Sequence, residues 1–158
     1  MVIWGGSQSN TGGRYCGQYP TPSPTPSPTP TLIVTNTNDS GPGSLRQALA
    51  DANDGDVIGF AVTGTIGLTS GELLVTRSII ISGPGAKNLA VNGNSQSRVF
   101  HIAPGQTVII SGLTIMNGHT AEFGGGGGIY NDHAVLTLNN CVITGNSAVG
   151  NIGGGIQQ

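Results

Sequence analysis

The sequence predicts an all-β fold, a right-handed parallel β-helix with three strands per coil, about three coils and an N-terminal capping helix. Three observations predict it. Residues 108–118 and 136–146 repeat one pattern at an offset of 28: Val108 matches Leu136, Ile110 matches Leu138, Leu113 matches Cys141 and Ile115 matches Ile143. The units Gly126-Gly127-Gly128-Ile129 and Gly153-Gly154-Gly155-Ile156 recur at an offset of 27. A fixed period in the twenties marks a stacked repeat. Finally, apolar pairs spaced by two fall into three columns. Leu73/Val75, Phe100/Ile102, Ile129/Asn131 and Ile156 form one; Ile79/Ile81, Val108/Ile110 and Leu136/Leu138 form another; Leu89/Val91, Leu113/Ile115 and Cys141/Ile143 form the third. Side chains alternate across a strand, so each column is the inner face of one strand position. Parallel crossovers of this kind are right-handed.

Along the chain, residues 1–19 are rich in Gly, Ser, Gln and Asn without periodicity and read as a disordered N-terminal segment. In residues 20–31 proline takes alternate positions. That excludes helix and ladder and leaves extended polyproline II, a linker reaching on the order of 35 Å. An SH3-type ligand is the alternative, but no Arg or Lys flanks the tract.

Residues 32–158 form the β-helix domain, with an N-terminal cap over 32–56 and coils over 57–158. Leu32-Ile33-Val34-Thr35 reads as a strand. A helix follows over about 44–53: Ser44 and Gln47 fit a capping box, and Leu45, Ala48, Leu49 and Ala52 make one apolar stripe. The stretch with Gly55 stops it. Ile58/Phe60 and Ile66/Leu68 open a partial coil, and about three coils follow. Leu136-x-Leu138-x-x-Cys141-x-Ile143 also fits a leucine-rich repeat core. His133 stands where that repeat requires leucine, and the Gly-rich 118–128 offers no convex helix.

Charged residues are only 8% and the net charge is −2 without a basic cluster, which argues against a nucleic-acid partner. No run approaches 18 apolar residues, so no membrane span is expected. Met1-Val2-Ile3-Trp4 is too short for a signal-peptide core. Cys16 and Cys141 lie in unlike contexts and read as idle thiols, leaving the compartment open.

The segment 35–49 (Thr-Asn-Thr-Asn-Asp-Ser-Gly-Pro-Gly-Ser-Leu-Arg-Gln-Ala-Leu) resembles the N-terminal cap of bacterial right-handed parallel β-helix surface proteins. Ile81-Ser82-Gly83-Pro84-Gly85-Ala86, Ser97-Arg98-Val99-Phe100-His101-Ile102 and Ile110-Ser111-Gly112-Leu113-Thr114-Ile115 extend the likeness over residues 32–158. It is a resemblance to choice-of-anchor and polymorphic outer-membrane-type proteins of the pectin-lyase-like superfamily. It implies an extracellular or bacterial cell-surface setting. Such proteins continue for more coils, so the chain reads as truncated, with an uncapped last coil open to self-association.

The superfamily includes polysaccharide lyases and hydrolases, which need paired carboxylates or converging calcium ligands and a base. Asp39, Asp51, Asp54 and Asp56 belong to the cap, and Glu72 precedes a strand. The best constellation is His119, Glu122, Asp132 and His133, with His101 one coil below. Polar turn residues on solvated loops are the simpler account, so no catalytic residue, cofactor or metal is assigned. Asn117-Gly118-His119 is followed by Thr120, not the second glycine of a polygalacturonase Gly-His-Gly element, and that family's Asp-Asp and Arg-x-Lys elements are missing. The glycine run 124–128 lacks the lysine or helix of a phosphate loop and reads as a tight turn. Asn139/Asn140 and Ser111/Gly112 occupy equivalent bends, where asparagine can bond coil to coil. Asn38-Asp39-Ser40 is a glycosylation sequon of little weight in a bacterial-looking chain.

The expected function is a non-catalytic extracellular or cell-surface segment for display, adhesion or contact with a polysaccharide or host glycan. The alternative is the N-terminal part of a polysaccharide lyase or hydrolase.

Overall fold

A computed structural model describes residues 28–121, 125–149 and 153–158. The expectations for residues 1–19, Cys16 included, and for most of the 20–31 linker lie outside the described residues. The elements run β1 (Leu32–Val34), α1 (Leu45–Asp51), β2 (Val57–Phe60), β3 (Gly64–Gly67), β4 (Leu73–Val75), β5 (Ile80–Ser82), β6 (Leu89–Asn92), β7 (Phe100–Ile102) and β8 (Thr107–Ser111). They continue with β9 (Thr114–Met116), β10 (His119–Thr120), β11 (Ile129–Asn131), β12 (Val135–Asn139), β13 (Val142–Thr144), β14 (Ser147–Ala148) and β15 (Ile156–Gln157).

The strands stack into three walls: β1-β2-β5-β8-β12, β3-β6-β9-β13 and β4-β7-β11-β15, with β10-β14 as a short extra pair. Every pairing is parallel. The result is a parallel β-solenoid of about four turns. The stretch read as a partial coil is complete, because β2, β3 and β4 contribute one strand to each wall.

The three sequence columns are the three inner faces. Leu73, Phe100 and Ile129 stack in register, as do Ile58, Ile81 and Ile110, and Ile66, Val91 and Ile115. All are at most 1% exposed, so one continuous apolar core runs up the axis. Burying a side chain of this size contributes roughly 1.5–3 kcal/mol. Asn131, in the same inner column as Phe100 and Ile129, is polar: 2% exposed, it donates through Nδ2 to the Ala134 carbonyl at 2.9 Å. Cys141 takes the place of Leu113 one coil up, half-buried against the core.

Corners follow from backbone geometry. Asn139 pairs with Ser111, so Asn140 (φ 52°) and Gly112 (φ 63°) are the same left-handed corner in successive coils. The asparagines that bond coil to coil are others: Asn94 donates through Nδ2 to the Leu68 carbonyl at 2.9 Å. Asn146 accepts from the Gly118 amide at 2.7 Å and donates to the Ile115 carbonyl at 3.0 Å. Gly118 has no alternative, because a Cβ there would run into the Gly127 carbonyl oxygen. The run ending at Gly128 turns as expected, with Gly125 and Gly126 at φ 70° and 72°.

The helix closes one end of the core. Ser44 Oγ accepts from the Gln47 amide at 3.2 Å, which is half of a capping box. The other half is not formed: the Gln47 side chain donates to Asp51 Oδ1 at 2.8 Å, and the Ser44 amide donates to Gly41 O. Leu45, Ala48, Leu49 and Ala52 are buried, as the stripe requires. Arg46, on the other face, fastens the cap to the first coil. Its Nη2 reaches Asp39 Oδ1 (2.7 Å) and the Gly71 carbonyl (2.7 Å), Nη1 reaches the Glu72 carbonyl (2.8 Å), and Nε reaches the Asp39 carbonyl (3.3 Å). Burial alone would raise the Asp39 pKa. Hydrogen bonds from Ser70, Arg46 and Thr69 outweigh it, and the Arg46 charge adds to them, so the carboxyl sits well below its usual range. At the linker end, Thr31 accepts from the Val57 amide (2.9 Å) and donates to Asp56 Oδ1 (3.0 Å).

Two outcomes follow. Phe100→Ala lowers the unfolding free energy by about 3–5 kcal/mol in chemical denaturation. Because the folded Asp39 pKa is depressed, its stabilisation is present above the ordinary value of 3.8 and is lost as pH falls through the lower folded value. Asp39→Asn is therefore less stable at neutral pH and has a shallower loss of stability below about pH 4, measured by denaturation across pH.

Candidate functional site

The ladder that builds the core also builds an outer column. Between each inward pair of the β4-β7-β11-β15 wall stands one outward residue, and the register stacks Leu74, His101, Tyr130 and Gln157. Glu72, just before β4, reaches across to the next coil. Its Oε1 lies 2.8 Å from His101 Nδ1 and its Oε2 lies 3.4 Å from Arg98 Nη1, the second long for a hydrogen bond. The Arg98 guanidinium carbon sits 5.0 Å from the Tyr130 ring centroid, a cation–π distance, and its Nε donates to the Gly125 carbonyl at 3.2 Å. His101 meets Tyr130 edge to face, centroids 5.0 Å apart. The Arg98, His101 and Glu72 side chains are 12%, 26% and 29% exposed, so this network is half-withdrawn from water.

Beside it lies a groove of about 380 Å³ lined by Glu72, Gln96, Ser97, Arg98, His119, Thr120 and Ala121. Three successive coils contribute to it. An ionised Glu72 can only accept, so a neutral His101 carries its proton on Nδ1 and leaves the Nε2 lone pair unshared with that carboxylate. The arrangement offers an anion, a cation, amide and hydroxyl groups and two imidazoles along one open wall. That set suits a hydroxyl-rich ligand.

The sequence constellation divides. His119 lines the groove, its Nδ1 2.9 Å from Ser147 Oγ. Asp132 and His133 pair with each other at 2.7 Å (Oδ1 to Nδ1) on the corner after β11, and neither lines the groove. The His133 side chain is 89% exposed. Glu122 lies outside the described residues. Among the described residues no three His, Cys, Asp or Glu side chains converge as metal ligands.

Glu72, Arg98 and Tyr130 were not among the sequence candidates. The signal for Tyr130 was available: the residue between Ile129 and Asn131 must share an outward column with His101. For Glu72, its place just before a strand carries no sign of the contacts it makes with the next coil.

Fold and groove together define a parallel β-solenoid with a polar, carboxylate–imidazole-edged groove on one wall. Compared with known proteins, the chain matches no family model, no curated protein and no solved structure. Among the described residues no helix is long and apolar enough to cross a membrane.

Long-range ¹H–¹⁵N spectra of the deprotonated imidazole should find His101 in the Nδ1–H tautomer. Glu72→Ala should shift it toward the Nε2–H form that predominates in free histidine. An unchanged tautomer would show that the carboxylate does not orient the ring.

Proposed function

We propose that this protein is a non-catalytic extracellular or cell-surface β-solenoid that contacts a polysaccharide or host glycan through the groove edged by Glu72, Arg98 and His119. One observation carries the reading. Side chains from three stacked coils line a single open groove, and its charged members Glu72 and Arg98 face each other, with the Glu72 carboxylate also held by His101, rather than aimed at one reacting point. The finer assignment, a pectin-lyase-like β-helix of the choice-of-anchor or polymorphic outer-membrane type, is part of the same proposal. Support for it comes from the cap segment 35–49 and the repeated Gly-Gly-Gly-Ile units. The surface setting rests on that resemblance. Fold by itself carries no activity.

A second reading has its own observation. The Glu72–His101 contact of 2.8 Å is the carboxylate-oriented imidazole used by many general bases, so a polysaccharide-cleaving activity would use His101.

Binding to immobilised glycans tests both. Wild type should bind a subset, and Arg98→Ala should weaken binding by about tenfold or more, the usual cost of removing a charged hydrogen-bond partner. Equal binding by wild type and variant would sink the groove as the contact surface. Release of reducing or unsaturated ends, lost in His101→Ala, would replace display with catalysis.

A further inference from the structure

Glu72 lines the polar groove and also a second hollow. That second hollow, of about 280 Å³ between α1 and β4, is lined by Arg46, Leu49, Ala50, Leu73, Leu74 and Thr76 as well as Glu72. Its character is different. Leu49, Ala50, Leu73 and Leu74 are aliphatic. The guanidinium nitrogens of Arg46 are occupied by the Asp39 carboxylate and the carbonyls of Asp39, Gly71 and Glu72, so its aliphatic stem is what remains for the wall. Leu74 is 50% exposed and begins the outward column that continues with His101 and Tyr130. A single exposed leucine means nothing. A leucine in an aliphatic hollow that shares a wall with a polar groove is a different matter.

We infer that the two hollows form one amphiphilic site, and that its ligand is an uncharged glycan bearing an aliphatic substituent, laid along the solenoid axis. The aliphatic part rests on Leu74 and Ala50 at the level of the cap and first coil. The sugar part meets Gln96, Ser97 and Thr120 on the coils above. Glu72 is the boundary: its carbonyl takes Arg46 on the aliphatic side, and its carboxylate takes His101 and Arg98 on the polar side. An uncharged sugar fits because the Glu72 carboxylate and the Arg98 guanidinium already face each other on the polar side. This inference rests on the glycan-contact reading above and adds the aliphatic substituent to it.

The test compares paired probes on the full chain by NMR titration: methyl and octyl β-glycosides of glucose, galactose, mannose and N-acetylglucosamine, the octyl compounds below their micelle concentrations. For at least one sugar, the octyl glycoside should bind about tenfold or more tightly than the methyl glycoside, as burial of part of the chain requires. Shifts should appear on both Ala50–Leu74 and Ser97–Thr120. Leu74→Asp should collapse that ratio to about one; because Leu74 is half-exposed, the thermal unfolding midpoint serves as the check on folding, and Leu74→Ala, which adds no charge, should reduce the ratio part of the way. Methyl glycosides that bind as well as their octyl partners overturn the aliphatic half while leaving glycan contact standing. Octyl binding that ignores both Leu74 variants overturns it as well. Binding of neither series overturns both readings. Octyl preference with no shifts at Ser97 or Thr120 marks a plain hydrophobic site and overturns the shared groove.

Discussion

The parallel ladder holds every coil to the same register, and the rest of the molecule depends on that constraint. With a side-chain period of two, a slip of one residue would turn Phe100 outward and His101 into the core. Stacking Leu73, Phe100 and Ile129 in one line therefore decides two things together. It seals an apolar interior, and it places Leu74, His101 and Tyr130 as a column on the surface. The site is the reverse side of the core, produced by the same hydrogen bonds.

Arg46 ties the cap to that surface, beside the bonds that Asp39 receives from Thr69 and Ser70. Arg46 holds the carbonyls of Gly71 and Glu72, while the Glu72 carboxylate engages His101 and Arg98 in the next coil. Backbone and side chain of Glu72 thus serve opposite neighbours. Anything that loosens the Arg46 contact frees the backbone from which the Glu72 carboxylate projects. The cost of loosening it is raised by Asp39, whose carboxylate is held ionised among the donors that surround it.

Much of the architecture was legible in the sequence because it rests on periodicity. Inward positions alternate, corners carry Gly or Asn, and the helix announces itself by Ser44 and its apolar stripe. The site was less legible because it depends on reach between coils. Nothing in the residues around Glu72 says that its side chain extends to a residue 29 positions later. The constellation of His119, Glu122, Asp132 and His133 is local only in sequence: His119 lines the groove, while Asp132 and His133 pair with each other at the corner after β11. The coil-to-coil asparagine bonds expected at Asn139 and Asn140 are made instead by Asn94 and by Asn146, whose amide both accepts from and donates to the coil below. The capping box failed in its second half because Asp51, one turn along α1, offers Gln47 a charged acceptor.

The even pitch of the coils also has a kinetic meaning. Each new strand closes a loop of nearly the same length onto the strand before it, as the steps from Leu73 to Phe100, to Ile129 and to Ile156 show. Loop-closure entropy grows only with the logarithm of that length, so every added coil faces the same modest barrier. The first coil is different, having no strand beneath it except β1 and the helix. There the cap is fastened by Arg46 to the carbonyls of Gly71 and Glu72, and in such a linear stack an ordered coil formed anywhere can propagate to its neighbours. A chain built this way can begin folding while its later coils are still being synthesised.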